Sequence, residues 1–447
     1  MELDGTLNIF EQRPIWSRLA INIAFCFHLS EETDITLINK KLQDALDTLI
    51  GSFLWIAGEV VTEDRNSKGD SGVSKIVSDG GMPKVISKDH RRSPSVPSMQ
   101  QLIEAGYPVS MLDESVFAPR AAAVAIPLVK RPVLMVQANI VHDGLVLVFS
   151  GDHAAMDMPG LFQIVRCFSK ACHNVHLTSK EIVTGNMSRR DLIPLLDSTY
   201  RPGEELAQQI PSISTPSVPA SRVPCAWATF KIPSYAVREI KAIAMATCTS
   251  PYVSTDDSLS AFIWQSVARA RMQRLSPETI SKAARSVDVR KVLGIPPDYP
   301  GLVQNNLFHQ LSLHELSTQP LGVVASVLRE AITRESPSLA FYTRALATAL
   351  SRSTDKSSLR VGANLDLSSD LLISSWATPG AYQLDFALGL GIPEVIRMTR
   401  QATFESMAYL FPFTPEGDTA ILICLRDLDL AALVADEPFS RFAQYTG

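Results

Sequence analysis

Apolar and polar positions alternate in "AINIAFCFH", residues 20 to 28, so Ile21, Ile23, Phe25 and Phe27 share one face of a predicted strand. Past it, Ile38, Leu42, Ala45, Leu46, Leu49 and Phe53 recur at helical spacing, with Gly51 marking the approach of the helix end. Residues 64 to 100 are polar and turn-rich and predict loops or short hairpins. "GLVLVFS", Gly144 to Ser150, is a short apolar run that predicts a buried strand, and "LFQIVRCFSKAC" from Leu161 returns to helical spacing. His153 lies where the strand gives way to the helix, a place that often carries chemistry.

The second half repeats the theme. "FKIP" leads into a helix near Ala236, "STDDSLSAFIWQSVARAR" reads as a capped helix, and two further helices fill roughly 320 to 352. Strands are predicted near 304 to 311, 371 to 376, 403 to 410 and 419 to 425, and a last helix near 428 to 435. Between the halves, the prolines and serines of 201 to 224 break any regular element and leave few residues able to pack a core. The expected organisation is α/β in two halves: a domain over 1–200, a linker over 201–224 and a second domain over 225–447.

Length supports two units, because 447 residues exceed what one hydrophobic core usually serves. The 46% hydrophobic and 19% charged residues supply ample core material. A net charge of −5 without like-charge runs argues against a nucleic-acid or membrane-surface partner. The longest apolar runs, such as "AAAVAIPLV" from Ala121, fall short of the ~20 residues that span a bilayer. With an acidic start and six scattered cysteines, the expectation is a soluble, reduced, cytoplasmic protein.

Three short motifs invite chemistry and fail on context. "GDSGV", Gly69 to Val73, resembles a serine-protease nucleophile loop but sits in a polar stretch without a base nearby. Cys172, His173 and His176 of "CHNVH" could ligate a metal, yet they close a helix, where histidine suits the dipole. "LGLGIPE" lacks the third glycine and the helix of a dinucleotide loop. No metal is expected. His153 itself admits three readings: a packed, hydrogen-bonded corner, a metal ligand with Asp157, or a general base. Pro159 argues against one regular helix through both residues.

"SGDHAAMDMPG" resembles the His-x-x-x-Asp motif of the BAHD acyltransferases, and its surroundings "QANIVHDGLVLVFSGDHAAMDMPG" resemble that family's strand, histidine loop and helix. "STDDSL" at 254 is similar to the family's Ser-Thr-x-Asp-x-Leu helix, "SVDVRKVLGIPPDYPGLVQNN" to its Val-Asp-x-Arg loop, and "SSWATPGAYQLDFALGLGIPE" to its Ser-Trp element and Asp-Phe-Gly-Trp-Gly motif. All fall in the family's order over nearly the whole chain. "LWIAGEV" and "YPGLVQNN" resemble the fungal branch that holds the trichothecene 3-O-acetyltransferases. There are departures. Asp152 replaces the first histidine of the doubled form, Met158 stands where glycine usually follows the aspartate, and Ala387 and Leu388 replace Gly and Trp.

The resemblance implies two chloramphenicol-acetyltransferase-like domains with a channel between them and no permanently bound cofactor. Acyl-CoA, most simply acetyl-CoA, would be the co-substrate, and the acceptor a small hydroxylated secondary metabolite. His153 Nε2 would act as base, Asp157 would pair with Arg290 as a structural support, and Ser374, Ser375 or Trp376 would bind the oxyanion. Ser254, Thr255, Lys282, Arg285 and Lys291 are the candidate coenzyme contacts, and Asp385, Phe386 and Gly389 form a structural motif. The acceptor would meet loops at 28–36, 300–312 and 400–412, and the family's habit is a monomer. Read from the residues alone, Arg290 could equally be a surface arginine in a proline-bounded loop. Two other functions stay open: condensation-type transfer from a carrier-protein thioester, and a reused scaffold that binds or cyclises a metabolite without transfer.

Overall fold

Alternation at 20–28 produces a strand, Ala20–His28, whose odd-numbered apolar residues and whose Ala24 and Cys26 enter cores on opposite sides of the sheet. Strand Gly144–Asp152 pairs antiparallel with it and is buried at every position, as a central strand should be. The computed structural model describes residues 5–30, 32–66, 69–78, 80–126, 128–211, 223–332 and 337–447. Its first sheet runs, in spatial order, Val395–Met398, Ala20–His28, Gly144–Asp152, Leu134–Val141 and Ile86–Asp89. The second runs Gln304–Ser312, Ile280–Asp288, Leu371–Ser375, Met407–Leu410, Thr419–Arg426, Cys225–Ile232 and Gln444–Tyr445, and a small third sheet joins Val73–Val77, Glu59–Glu63 and Arg131–Pro132.

Helices cover the sheets where the apolar spacing placed them. Ile35–Ser52 starts at Asp34, whose carboxylate accepts from the Thr36 and Leu37 N–H groups. Ser254 caps Thr255–Arg271 reciprocally with Asp257. One apolar cluster joins Phe25 and Phe149, under helices Ile35–Ser52 and Met158–Cys172, to Leu422 and Cys424 on the inner face of the larger sheet, while a second fills the space between the far face of the larger sheet and helices Ser234–Thr247, Thr255–Arg271 and Leu321–Glu330. No helix among the described residues is long and apolar enough to cross a membrane.

Four details differ from the sequence reading. Strand Val395–Met398 belongs to the later part of the chain but pairs with Ala20–His28, so one strand passes from one half into the other. Ile280–Asp288, unread as a strand, forms the partner of Gln304–Ser312, and the acceptor loop expected over 300–312 is therefore a loop only through 303. The segment read as an unpacked linker is packed at its start: Leu206 is buried, and Gln209 donates to Asn305 Oδ1. Residues 212–222 of that segment lie outside the described residues.

Candidate active site

Asp157 is the N-cap of helix Met158–Cys172, in extended backbone, and its Oδ1 accepts from the Gly160 N–H at 2.9 Å. His153 precedes it in the tight turn 153–155, pinned by its N–H to the Leu19 carbonyl. "MPG", 158 to 160, is thus the first turn of the helix beyond Asp157; residues 154–156 separate histidine from aspartate.

The Asp157 carboxylate is buried and fully engaged. Arg290 Nη2 and Nη1 donate to its Oδ1 and Oδ2 at 2.7 and 3.0 Å, a bidentate grip, and the Val303 N–H adds a bond at 2.9 Å. Arg290 is only 1% exposed, which excludes the surface-arginine reading. Its other donors meet the carbonyls of Tyr299 and Gly301 and the Asp288 carboxylate, so one guanidinium ties the 288–301 loop to the histidine turn. Partner carboxylates hold the Arg290 pKa above its usual value despite burial.

Two more ion pairs brace the same turn, and neither was read from the sequence. Asp152 accepts from Arg131 Nε at 2.8 Å and from the Ala154 N–H. Glu11, fully buried, accepts from Arg189 Nη1 and from the Asn8 and Leu302 N–H groups, and the same Arg189 nitrogen donates to the Ala155 carbonyl. Burial pushes the Glu11 carboxyl up, and the Arg189 guanidinium with the two backbone N–H groups opposes that shift. The partners lie 178 positions apart in the chain, so no local pattern signals them.

Gly160 makes the closest approach. A Cβ there would meet the Pro300 carbonyl oxygen at 2.0 Å and Asp157 Oδ1 at 3.2 Å. Gly160→Ala is therefore expected to push the 300–303 loop off the helix start. We expect a loss of about 1–3 kcal/mol, with loss of transfer activity, as thermal melting and coenzyme A release would register.

The His153 ring stacks on Trp16, centroids 4.6 Å apart and planes at 28°. Its Nδ1 is buried without a hydrogen-bond partner. Desolvation lowers its pKa; the backbone at His153 and Met156 and the carboxylates of Asp157 and Asp152 oppose this and are outweighed. The imidazole is accordingly neutral near pH 7, the form a base requires.

The oxyanion candidates separate on the sheet. Ser374 pairs in register with Tyr409, whose face joins the inner cluster shared with Trp16. Ser375 pairs with Leu410 on the opposite face and is itself exposed at the strand end. Trp376 is buried, edge-on to Tyr409 and Phe411. No hydrogen bond joins any of the three to His153 among the described residues.

Several candidate coenzyme contacts are already occupied. Ser254 spends its hydroxyl on Asp257, Arg285 is neutralised by Asp256 and Asp257 at 2.6 and 2.9 Å, and Lys282 donates to the Asn364 carbonyl. Lys291 is exposed, and Thr255 lines a cleft of about 240 Å³ with Arg238 and Phe413. Ser254, Thr255 and Arg285 meet at one helix start, where Asp256 and Asp257 hold the guanidinium. In the Asp-Phe element, Phe386 packs among Phe25, Phe27, Phe149 and Phe168, and the Asp385 carboxylate accepts from the Ala387 N–H. Ala387 and Gly389 hold φ of 52° and 78°, so alanine occupies a left-handed position that favours glycine. Of the rejected motifs, Ser71 Oγ accepts from the Lys356 N–H and His173 Nε2 meets the Asp385 carbonyl.

Residues 19–172 match the trichothecene 3-O-acetyltransferase-like N-terminal domain, and residues 112–439 match the Transferase family. The chain is 42% identical to O-acetyltransferase dmxR13 of Cryptosporiopsis sp., over 100% of this chain and 98% of that protein. It is 39% identical to trichothecene 3-O-acetyltransferase TRI101 of Fusarium sporotrichioides, over 99% and 97%. The crystal structure of Fusarium graminearum TRI101 with coenzyme A and T-2 mycotoxin superposes with a TM-score of 0.95 at 34% identity, covering 99% of this chain and 100% of that one.

Proposed function

As a member of the Transferase family, the chain is a coenzyme A-dependent O-acyltransferase acting on a small hydroxylated metabolite, and we propose that His153 is the base of a direct transfer. The observation that carries this reading is the turn braced by three arginines, which holds the His153 ring with no side-chain hydrogen bond among the described residues; desolvation favours the neutral form of that ring. With Nδ1 buried, Nε2 is the nitrogen assigned to the acceptor.

Nε2 takes the hydroxyl proton as the oxygen attacks the thioester carbonyl. The tetrahedral intermediate carries an oxyanion, for which the Ser374 hydroxyl is the favoured donor because it lies on the inner face. Carbon–sulfur cleavage then expels the coenzyme thiolate, and His153 returns the proton to it. No acyl-enzyme forms. Asp157 and Arg290 act as positioning residues for the turn, joining the halves 1–200 and 225–447. Acetyl is the proposed acyl group. All assigned groups belong to one chain, so a monomer suffices.

Free-thiol release from acetyl-CoA over a panel of hydroxylated terpenoids, alkaloids and polyketides tests the reading. Release that requires both an acceptor and His153 is expected. If no acceptor elicits release and calorimetry detects no coenzyme A binding, the reading fails and the scaffold serves another purpose. Transfer only from a carrier-bound thioester would replace it with condensation-type chemistry.

A further inference from the structure

One buried charge is left out of every network described above. Arg13 is 3% exposed, yet its Nε and Nη2 have no hydrogen-bond partner and no carboxylate lies within ion-pair distance among the described residues. Desolvation lowers its pKa to about 10, with no neighbouring acid opposing it. Around the histidine turn, Arg131, Arg189 and Arg290 each hold a carboxylate, and Arg120, which holds none among the described residues, donates to the Ser150 hydroxyl and to the Ser150 and Pro132 carbonyls. An unpaired buried cation destabilises a fold strongly, and stacking over the Trp16 ring, 5.6 Å from its centroid, offsets only a part. The same indole stacks on His153. The unpaired cation is therefore one ring away from the reacting centre.

We propose that Arg13 is an anion-binding subsite beside the base, and that the acceptor carries an ionised acidic oxygen, a carboxylate or acidic phenol, in addition to the hydroxyl that is acylated. The proposal rests on the acyl-transfer reading and deepens it by naming the substrate class. Coenzyme phosphates are the other source of anionic oxygen. The long pantetheine arm holds them far from the thioester, and hence from a residue whose ring neighbour touches the base. The oxyanion of the intermediate is a third source, but it would need the guanidinium equally for every acceptor.

The test uses para-hydroxymethylbenzoate and its methyl ester, titrated by calorimetry into the full chain saturated with coenzyme A. Wild type should bind the acid about tenfold more tightly than the ester, the size of one charge-assisted hydrogen bond. Arg13→Met should erase that ratio and raise Tm, because an unpaired buried charge is removed. Arg13→Lys should retain part of the ratio and shows that the position tolerates change. A wild type without preference for the acid, whether both probes bind or neither does, overturns the proposal. So does an Arg13→Met protein that keeps the ratio, that loses coenzyme A affinity instead, or that loses turnover of acid and ester alike. If wild type shows the binding preference but no His153-dependent thiol release, the subsite stands and the acyl-transfer reading falls.

Discussion

Replacing His153 by alanine is expected to lower acceptor-dependent coenzyme A release by about two to four orders of magnitude, the contribution of a positioned general base, while the protein stays folded. Among the described residues the imidazole makes no hydrogen bond to a side chain, and it stacks on Trp16. Its removal therefore breaks no network. The turn remains braced through Asp152, Ala155 and Asp157 by three arginines. Unchanged circular dichroism and a small shift in Tm, beside near-complete loss of thiol release, is the expected pair of results. Substantial residual turnover would mean that another group removes the proton.

Asp157→Ala should fail differently. The carboxylate receives two arginine donors and two backbone N–H groups, and it is 1% exposed. Its loss leaves Arg290 partly uncompensated in the interior, at an expected cost of about 3–5 kcal/mol. Stability and activity should then fall together, with a Tm several degrees lower. In Asp157→Ala/Arg290→Met the stranded charge is also gone. That double variant should be less destabilised than the sum of its single variants in denaturant titration. Additive losses would show that the pair contributes little beyond its separate bonds.

Much of this site was legible in the sequence because its signals are local. The alternation at 20–28, the buried run at 144–152 and the Ser254–Asp257 cap each declare themselves within a few residues. The His153–Asp157 spacing and the Arg290 loop were legible through resemblance, and the ion pair joins them as that resemblance implied. What escaped depends on distant parts of the chain. Ile280–Asp288 is rich in alanine, serine and charge, so it reads as a strand only once its neighbours are known. Val395–Met398 is four residues long, and its partner lies at the other end of the chain. Glu11 and Arg13 stand two apart, and nothing in their order shows that one is paired and the other is not. Arg285 looked like a phosphate contact until Asp256 and Asp257 closed on it.

The central claim is that a neutral, desolvated His153 takes the acceptor's proton, and the pH dependence of kcat/KM for thiol release tests it most directly. Burial lowers the histidine pKa below its ordinary 6.5, so the base form persists into mildly acid solution. Folding likewise favours the neutral ring: that part of the stability is full above 6.5 and declines as the pH falls through it. The account predicts a rate that holds from neutrality to below pH 6.5 and then drops with a single proton. The residual activity of His153→Ala should lack that limb. A limb centred above 6.5, or one that survives the substitution, would contradict it.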